Sequence, residues 1–189
     1  SNTGSAGGLN PNTNYQFYVR GNCLANGYST WSGPYSFSTL QVPATVPFCD
    51  GFENGPGDWT IINGNQVNQW VTGTAAVYSG TRSAYISNDG GVTNTYTDSI
   101  GSIVHMYRDI SFSDGTGGYT LDFWWHAEGE NGWDWLSVFL VDPSVVPVPG
   151  TDLTGELGYG NMTAAYQHAT FTLPASLTGT TKRLVFSWR

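Results

Sequence analysis

Almost every apolar run in this chain is short, rich in Val, Ile, Thr, Tyr, Phe and Trp, and closed by Gly, Asn, Asp or Pro. β-Branched and aromatic residues favour extended backbone, whereas Gly, Asn, Asp and Pro favour the turns that end it. Convincing helical periodicity is absent, so the pattern predicts an all-β chain whose strand spacing suggests a sandwich. The clearest predicted strands are residues 15–20, 35–39, 83–87, 105–110, 119–126, 134–141, 169–173 and 183–188.

The composition favours a packed domain of an exported protein. Eight Trp, eleven Tyr and nine Phe supply large side chains for a core. Fourteen Asp and Glu against six Lys and Arg give a net charge of −8, which repels nucleic-acid phosphates and anionic lipid headgroups. No apolar run approaches the ~18 residues of a membrane span. With Lys scarce and Gly abundant, we expect an extracellular or cell-surface protein that neither binds nucleic acid nor inserts into a membrane.

A domain boundary is predicted at residues 41–48, whose sequence is QVPATVPF. This segment has two prolines and no glycine, so we interpret it as an extended linker that belongs to neither flanking sheet. It separates a first domain, residues 1–40, from a second domain, residues 49–189.

The first domain resembles the last third of a fibronectin type III domain. The resemblance rests on GLNPNTNYQFYVRGNC at residues 8–23 and YSTWSGPYSFST at residues 28–39. It implies a final strand pair in which the Tyr15 hydroxyl hydrogen-bonds back to the chain. Two strands rarely bury enough surface to be stable alone, so we expect a partial domain from a longer protein.

The second domain resembles the jelly-roll adhesin modules of secreted Bacteroidetes proteins, the choice-of-anchor or cleaved-adhesin group, which are distantly related to MAM domains. The resemblance implies an all-β jelly-roll sandwich. In this family the pattern normally continues past a Trp-Arg ending into one more strand, so we expect C-terminal truncation. The matching segments are DGFENG at 50–55, Trp59, Trp70, GTRSAYISNDG at 80–90, HMYRDI at 105–110, LDFWW at 121–125, DWLSVFLV at 134–141 and TTKRLVFSWR at 180–189.

Catalytic motifs are not evident in the sequence. There is no HExxH, GxSxG, P-loop or dinucleotide fingerprint. Jelly-roll glycosidases place two carboxylates across a sugar-binding cleft, and the candidates for such a pair are Asp122, Glu128, Glu130 and Asp134. Their spacing does not reproduce the alternating acidic strand of those enzymes, and solvated turn carboxylates are the simpler interpretation.

Four tryptophans lie close together in the sequence and suggest a ligand-binding surface. Because side chains alternate along a strand, Trp124 and Trp125 must face opposite ways, while Trp133, Trp135 and Phe139 are predicted to share one face. An exposed indole suits the apolar face of a sugar ring, with Glu130 and Asp134 available for its hydroxyls. The alternative is that these indoles form the sandwich core.

Calcium is the cofactor that the resemblance implies. In related jelly rolls, a Glu at the position of Glu53 and the backbone of the turn matching residues 80–83 help to hold a structural Ca²⁺. Asp50 and Asp89 are further candidate ligands, because Ca²⁺ prefers carboxylate and carbonyl oxygens. Solvated acidic turns are the alternative.

The two cysteines, Cys23 and Cys49, lie on either side of the predicted linker. In an exported protein they could form a disulfide worth about 3 kcal/mol. Two separate free thiols are the alternative.

These observations lead to one functional hypothesis and two alternatives. We expect a non-catalytic, extracellular adhesion or ligand-binding module of a larger secreted or cell-surface protein, with a glycan as the ligand of the exposed aromatic residues. The first alternative is a structural spacer or a module that binds a surface protein instead. The second is a jelly-roll glycoside hydrolase, which needs two of the turn carboxylates to converge on a cleft.

Overall fold

The computed structural model describes residues 3–113 and 117–189. It confirms the all-β class: among these residues the helical segments are two single 3₁₀ turns, Leu24–Asn26 and Ala175–Leu177. The chain divides into two compact units, the first ending at Val42 and the second beginning at Pro43.

The first unit is built on one antiparallel strand pair. Strand β1 (Asn14–Val19) pairs with β2 (Ser32–Ser38), close to the two strands that the sequence predicts. Across the pair, the rings of Tyr15 and Phe37 stack with centroids 5.7 Å apart. The Tyr15 hydroxyl accepts a hydrogen bond of 2.8 Å from the Asn10 N–H, which is the return contact that the resemblance implies.

The second unit contains four longer strands and several short ones. Its strands, within the described residues, are β3 (Ala44–Thr45), β4 (Thr60–Ile62), β5 (Gln69–Gly73), β6 (Ser83–Ser87), β7 (Val104–Phe112), β8 (Tyr119–Ala127), β9 (Leu136–Val141), β10 (Glu156–Gly160), β11 (Thr163–Leu173) and β12 (Thr180–Trp188). The largest sheet has the order β10-β9-β12-β7, and both β3 and β4 pair with the remaining edge of β7. Two further sheets have two strands each, β5 with β6 and β8 with β11.

The predicted linker is wrong in part. Ala44 and Thr45 lie inside residues 41–48, yet they form β3, which pairs in parallel with Ile110 and Ser111 of β7. The Val46 N–H extends this pairing by donating to the Ser111 carbonyl at 3.2 Å. A pair of residues is too short to show a strand pattern in the sequence, and β7 supplies the hydrogen-bond partners that a linker would lack.

The main core lies on the inner face of the large sheet. Alternate residues of β7 and β12 point to it, among them Met106, Ile110 and Leu184. Trp70 of β5 and Phe123 of β8 pack against the same cluster from the two small sheets. The second unit is therefore a β-sandwich in which one layer is a continuous sheet and the other consists of two separate strand pairs.

The outer face of the large sheet is also buried, whereas many antiparallel sheets leave this face in contact with solvent. Tyr107, Phe139 and Val185 form a second apolar cluster there, and Leu153 from the segment between β9 and β10 packs on it. The same segment accepts a hydrogen bond: the carbonyl of Val148 lies 3.1 Å from Nε2 of His105.

An ion pair is buried on this outer face. Asp109 and Arg183 are directly opposite each other in the β7–β12 register. The guanidinium donates to both Asp109 oxygens, at 2.7 Å from Nε and 3.0 Å from Nη2, and also to the Val145 carbonyl at 2.8 Å. It lies 3.9 Å above the Tyr107 ring. Both charges are thus compensated, as buried ions require.

Candidate functional site

Trp124 and Trp125 point to opposite faces of β8, as strand alternation predicts. Trp125 packs against the main core, and its indole reaches so close to Gly160 of β10 that a Cβ would not fit there. Trp124 is 48% exposed on the other face. One of the pair therefore leaves the core and is available to a ligand.

Trp124 belongs to an aromatic cluster, defined here as Tyr78, Trp124, His126, Tyr166 and His168. The Trp124 ring stacks on Tyr78 at 4.3 Å and on His168 at 4.8 Å, with interplanar angles of 15° and 17°. Tyr166 lies 5.0 Å from Tyr78 and 4.4 Å from His126. Burial raises the pKa of the Tyr166 hydroxyl, so this phenol stays a neutral hydrogen-bonding group. The cluster joins flat apolar rings with polar ring atoms.

Sequence reasoning missed four of the five members of this cluster. Tyr78, His126, Tyr166 and His168 belong to none of the motifs that the sequence shows. His168 meets Trp124 because the two residues are opposite each other in the β8–β11 register. This register is a property of the fold, so no local motif could have indicated it.

The turn between β8 and β9 holds the other predicted tryptophans. Trp133 is 67% exposed and precedes β9, whereas Phe139 is buried on the outer face of the large sheet. The prediction that these two share one strand face is therefore wrong, because β9 begins only at Leu136. Trp135 is half-buried; its backbone exchanges two hydrogen bonds with Arg189, at 2.9 and 3.1 Å.

Asp134 organises this turn. Its carboxylate accepts hydrogen bonds from the Tyr96 hydroxyl at 3.0 Å and from the Glu130 N–H at 2.8 Å. The Asn161 side chain donates to the Glu130 carbonyl at 3.1 Å. Burial, followed by the hydrogen bond to Asp134, raises the pKa of Tyr96 to about 12. The phenol therefore remains a donor that holds the Asp134 carboxylate in place.

A cleft opens between β6 and β8, beside the aromatic cluster. It has a volume of about 480 Å³, within the range of small-molecule sites. Its polar lining includes Tyr96, His126 and Glu128. Of the carboxylates that a hydrolase would need, Glu128 lines this cleft, whereas Asp134 is engaged by Tyr96 and Glu130 contributes its backbone to the turn.

Glu53 meets the turn that the resemblance pairs with it. Its carboxylate accepts hydrogen bonds from the N–H and hydroxyl of Thr81, at 3.1 and 2.6 Å, and from the Arg82 N–H at 3.3 Å. These bonds, the Thr81 hydroxyl first, lower the pKa of Glu53. The carboxylate is therefore held by the backbone N–H groups and the hydroxyl of this turn.

The other candidate calcium ligands cap their own loops. Asp50 accepts from the Phe52 N–H at 2.8 Å and from Nε1 of Trp59 at 3.1 Å. Asp89 accepts from Thr93 and Ser87, which lower its pKa to about 2. Among the described residues, no group of three or more His, Cys, Asp and Glu side chains could hold a metal ion. A calcium site at Glu53, Asp50 and Asp89 remains a prediction from the resemblance.

The two cysteines are exposed, Cys23 in the first unit and Cys49 in the second, and both are free thiols in this structure. A bridge between them remains a prediction. A mass measurement before and after reduction of protein prepared under oxidising conditions tests it, because one disulfide lowers the mass by two hydrogens.

Comparison of the chain with protein-family models, with curated proteins and with solved structures found no match. None of the helical segments in the described ranges has the length and apolar character that crossing a membrane requires.

Proposed function

We propose that this chain is a non-catalytic adhesion or ligand-binding module of a larger extracellular or cell-surface protein, and that its ligand is a glycan. The observation that carries the proposal is the aromatic cluster on the outer face of β8 and β11, which lies half-exposed beside a cleft with polar lining. Flat rings contact the apolar faces of sugars, and neighbouring polar groups take their hydroxyls.

Two features support the binding mode. Tyr78 and Trp124 are both close to half exposed, although each already stacks on another ring. Such prestacked rings lose little side-chain entropy when a ligand covers them. Trp133, exposed in the adjacent turn, offers a second indole that a longer glycan could reach.

Composition supports the extracellular setting. The chain has a pI near 4.4, only 11% charged residues and 25 glycines, a pattern more usual in secreted β-proteins than in cytosolic enzymes. We further propose that the second unit is a jelly roll of the adhesin type and that the first unit is the last part of a fibronectin type III domain. The motifs and the Tyr15 hydroxyl contact support this assignment.

The test is a glycan array together with retention on immobilised polysaccharides, using the wild-type chain and single Ala variants. Tyr78→Ala and Trp124→Ala should each weaken retention by about tenfold or more, since loss of one stacking ring removes on the order of 1–2 kcal/mol. Trp31→Ala is the matched control, because Trp31 is an exposed tryptophan of the first unit, outside the aromatic cluster. Retention that Tyr78→Ala and Trp124→Ala leave unchanged, or the absence of any bound glycan, would contradict the proposal.

The second candidate is a spacer or a protein-binding module without a glycan ligand. The stacking of Trp124 on two neighbouring rings favours this candidate, since ring–ring contacts also stabilise an exposed aromatic cluster that binds no ligand. Under this alternative no glycan of the array binds the chain, and Tyr78→Ala leaves the fold of the chain unchanged.

A further inference from the structure

Aromatic rings dominate the lining of the cleft between β6 and β8. Half of the residues that border its volume of about 480 Å³ are Phe, Tyr or Trp. Part of this lining is buried, with Met106 and Trp70 only 1% and 8% exposed, and part is open to solvent, with Trp124 48% exposed. A ligand can therefore place an apolar body against the buried side chains and keep a polar group near the open part of the cleft.

The cleft carries negative charge and no fixed positive charge. Among the described residues that border it, Glu128 is the one carboxylate, and none is Lys or Arg. Glu128 takes part in none of the three ion pairs of the described residues, whose acidic members are Asp58, Asp109 and Asp152. A cleft lined by charge of one sign attracts ligands of the opposite sign. The lining therefore favours a cation and disfavours an anion.

Further carboxylates act on the same cleft through Tyr96, which also borders it. Burial is the first cause of the raised pKa of Tyr96, about 12, and the hydrogen bond to Asp134 is the second. The charges of Asp134, Asp98 and Glu130 raise it further. Carboxylates that disfavour a negative charge on this phenol favour a positive charge beside it. The observation supports, from a second residue, the sign of charge that Glu128 indicates.

The aromatic rings of the cleft are themselves suited to a cation, because the face of an aromatic ring is electronegative. Elsewhere this chain already uses that attraction: the Arg183 guanidinium lies 3.9 Å from the ring centre of Tyr107, and that of Arg189 lies 4.8 Å from the ring centre of Trp135. In the described ranges, no ring that borders the cleft has such an Arg or Lys partner. A cation that contacts these rings must come from a ligand.

One buried polar atom of the lining has no hydrogen-bond partner. His126 borders the cleft, and its Nδ1 is buried and makes no hydrogen bond to any described residue. An unsatisfied buried nitrogen is costly, and a hydrogen bond from a ligand would recover part of that cost. An ammonium group that carries N–H bonds is such a donor. This atom therefore favours an amine-type cation over a quaternary one.

We propose that the cleft between β6 and β8 binds a small organic ammonium ion with an apolar aromatic body. The ammonium group lies near Glu128 and donates a hydrogen bond to Nδ1 of His126. The body packs against the buried side chains, among them Trp70 and Met106. Arylalkylamines have this chemistry, because a short carbon chain joins their flat ring to a primary ammonium group. The proposal goes beyond glycan binding and does not depend on it.

The experiment titrates the whole chain with three probes of similar size that differ in charge: the cation 2-phenylethylammonium, the neutral 2-phenylethanol and the anion 3-phenylpropionate. Calorimetry and tryptophan fluorescence follow binding, because Trp70, Trp125 and Trp188 line the cleft. We expect the cation to bind with a dissociation constant of about 1 mM or lower, about tenfold more tightly than the alcohol, and the anion to bind more weakly still. Added salt should weaken the binding of the cation.

A matched pair of variants tests where the cation binds. Glu128→Gln removes the charge that borders the cleft and should weaken binding of the cation about threefold or more, while binding of the alcohol stays unchanged. Glu156→Gln makes the same change at an exposed position of β10 that does not border the cleft. It should leave the affinity for the cation within about 1.5-fold. Both substituted side chains are exposed, so we expect both variants to fold.

Three outcomes would overturn the proposal. The first is that the cation does not bind at concentrations up to about 10 mM. The second is that the alcohol or the anion binds as tightly as the cation. The third is that Glu128→Gln and Glu156→Gln have the same effect. Because the probes contain no sugar, ammonium binding and glycan retention are separate results, and either function can fail alone.

Discussion

Replacing Asp109 by Asn is expected to destabilise the second unit strongly, because the substitution leaves the Arg183 guanidinium buried without its counter-charge. The two side chains are 1% and 2% exposed, so water cannot replace the lost partner. The Val145 carbonyl and the Tyr107 ring remain near the guanidinium, but neither carries a negative charge.

Removing one member of a buried ion pair costs about 3–5 kcal/mol in the free energy of unfolding. For a domain of about 150 residues, each kcal/mol corresponds to about 2–4 °C in melting temperature. We therefore expect Asp109→Asn and Arg183→Met each to lower the melting temperature by roughly 6–20 °C. The double variant Asp109→Leu with Arg183→Met replaces the pair by apolar groups and should recover most of this loss.

Urea unfolding followed by tryptophan fluorescence measures these effects. Seven of the eight tryptophans, all except Trp31, lie beyond residue 42, so the signal reports chiefly on the second unit. The wild type, the single variants Asp109→Leu and Arg183→Met, and the double variant that combines these two substitutions form one thermodynamic cycle. A cost below about 1 kcal/mol for either single variant, or single costs that simply add in the double variant, would refute the reasoning.

Three further predictions follow from the structure. The free energy of unfolding should fall as the pH is lowered from 7 to 5, because burial lowers the pKa of His105 below 6.5, so that the unfolded chain takes up a proton more readily than the folded one. Urea midpoints measured against pH test this. If His105→Gln has the same slope of midpoint against pH as the wild type, the prediction is wrong. Gly160→Ala should lower the free energy of unfolding by about 1–3 kcal/mol, because the Trp125 indole fills the space that a Cβ would need. The control Gly101→Ala adds a methyl group in open space and should change this free energy by less than about 0.5 kcal/mol, as measured by thermal melting. Glu53→Gln should lower the melting temperature at pH 7, and this difference should shrink as the pH falls below 4.5 and through the lowered pKa of Glu53, because protonation of the carboxylate removes its contribution to the fold. Melts with calcium and with chelator show whether the ion adds to this.

Much of the secondary structure could be predicted from local patterns. The strand at residues 83–87 has the bounds of β6 in the structure, and the opposite orientations of Trp124 and Trp125 follow from alternation alone. A period of two along the backbone depends only on neighbouring residues, so it can be recognised in the sequence without knowledge of the fold. The short strands β3 and β4 escaped this reasoning, because two or three residues cannot show a period.

The candidate site was only partly predictable. Trp124 and Asp134 are near the cleft. The other members of the aromatic cluster depend on the fold: strand pairing places His168 beside Trp124, and the loop before β6 carries Tyr78. Trp133 was misplaced because the sequence extends the apolar pattern into a turn, and β9 starts later than the pattern suggests.

The sequence by itself determined the all-β class, the alternation of most strands and the abundance of aromatic side chains for a core. Only the tertiary structure decided which strands are neighbours. It placed Asp109 opposite Arg183, 74 residues later, and stacked His168 on Trp124. Among the described residues, it also paired β8 with β11 alone. The physical reason is that pairing and register arise from hydrogen bonds and packing between distant segments, and neither leaves a signal in the local pattern of a single strand.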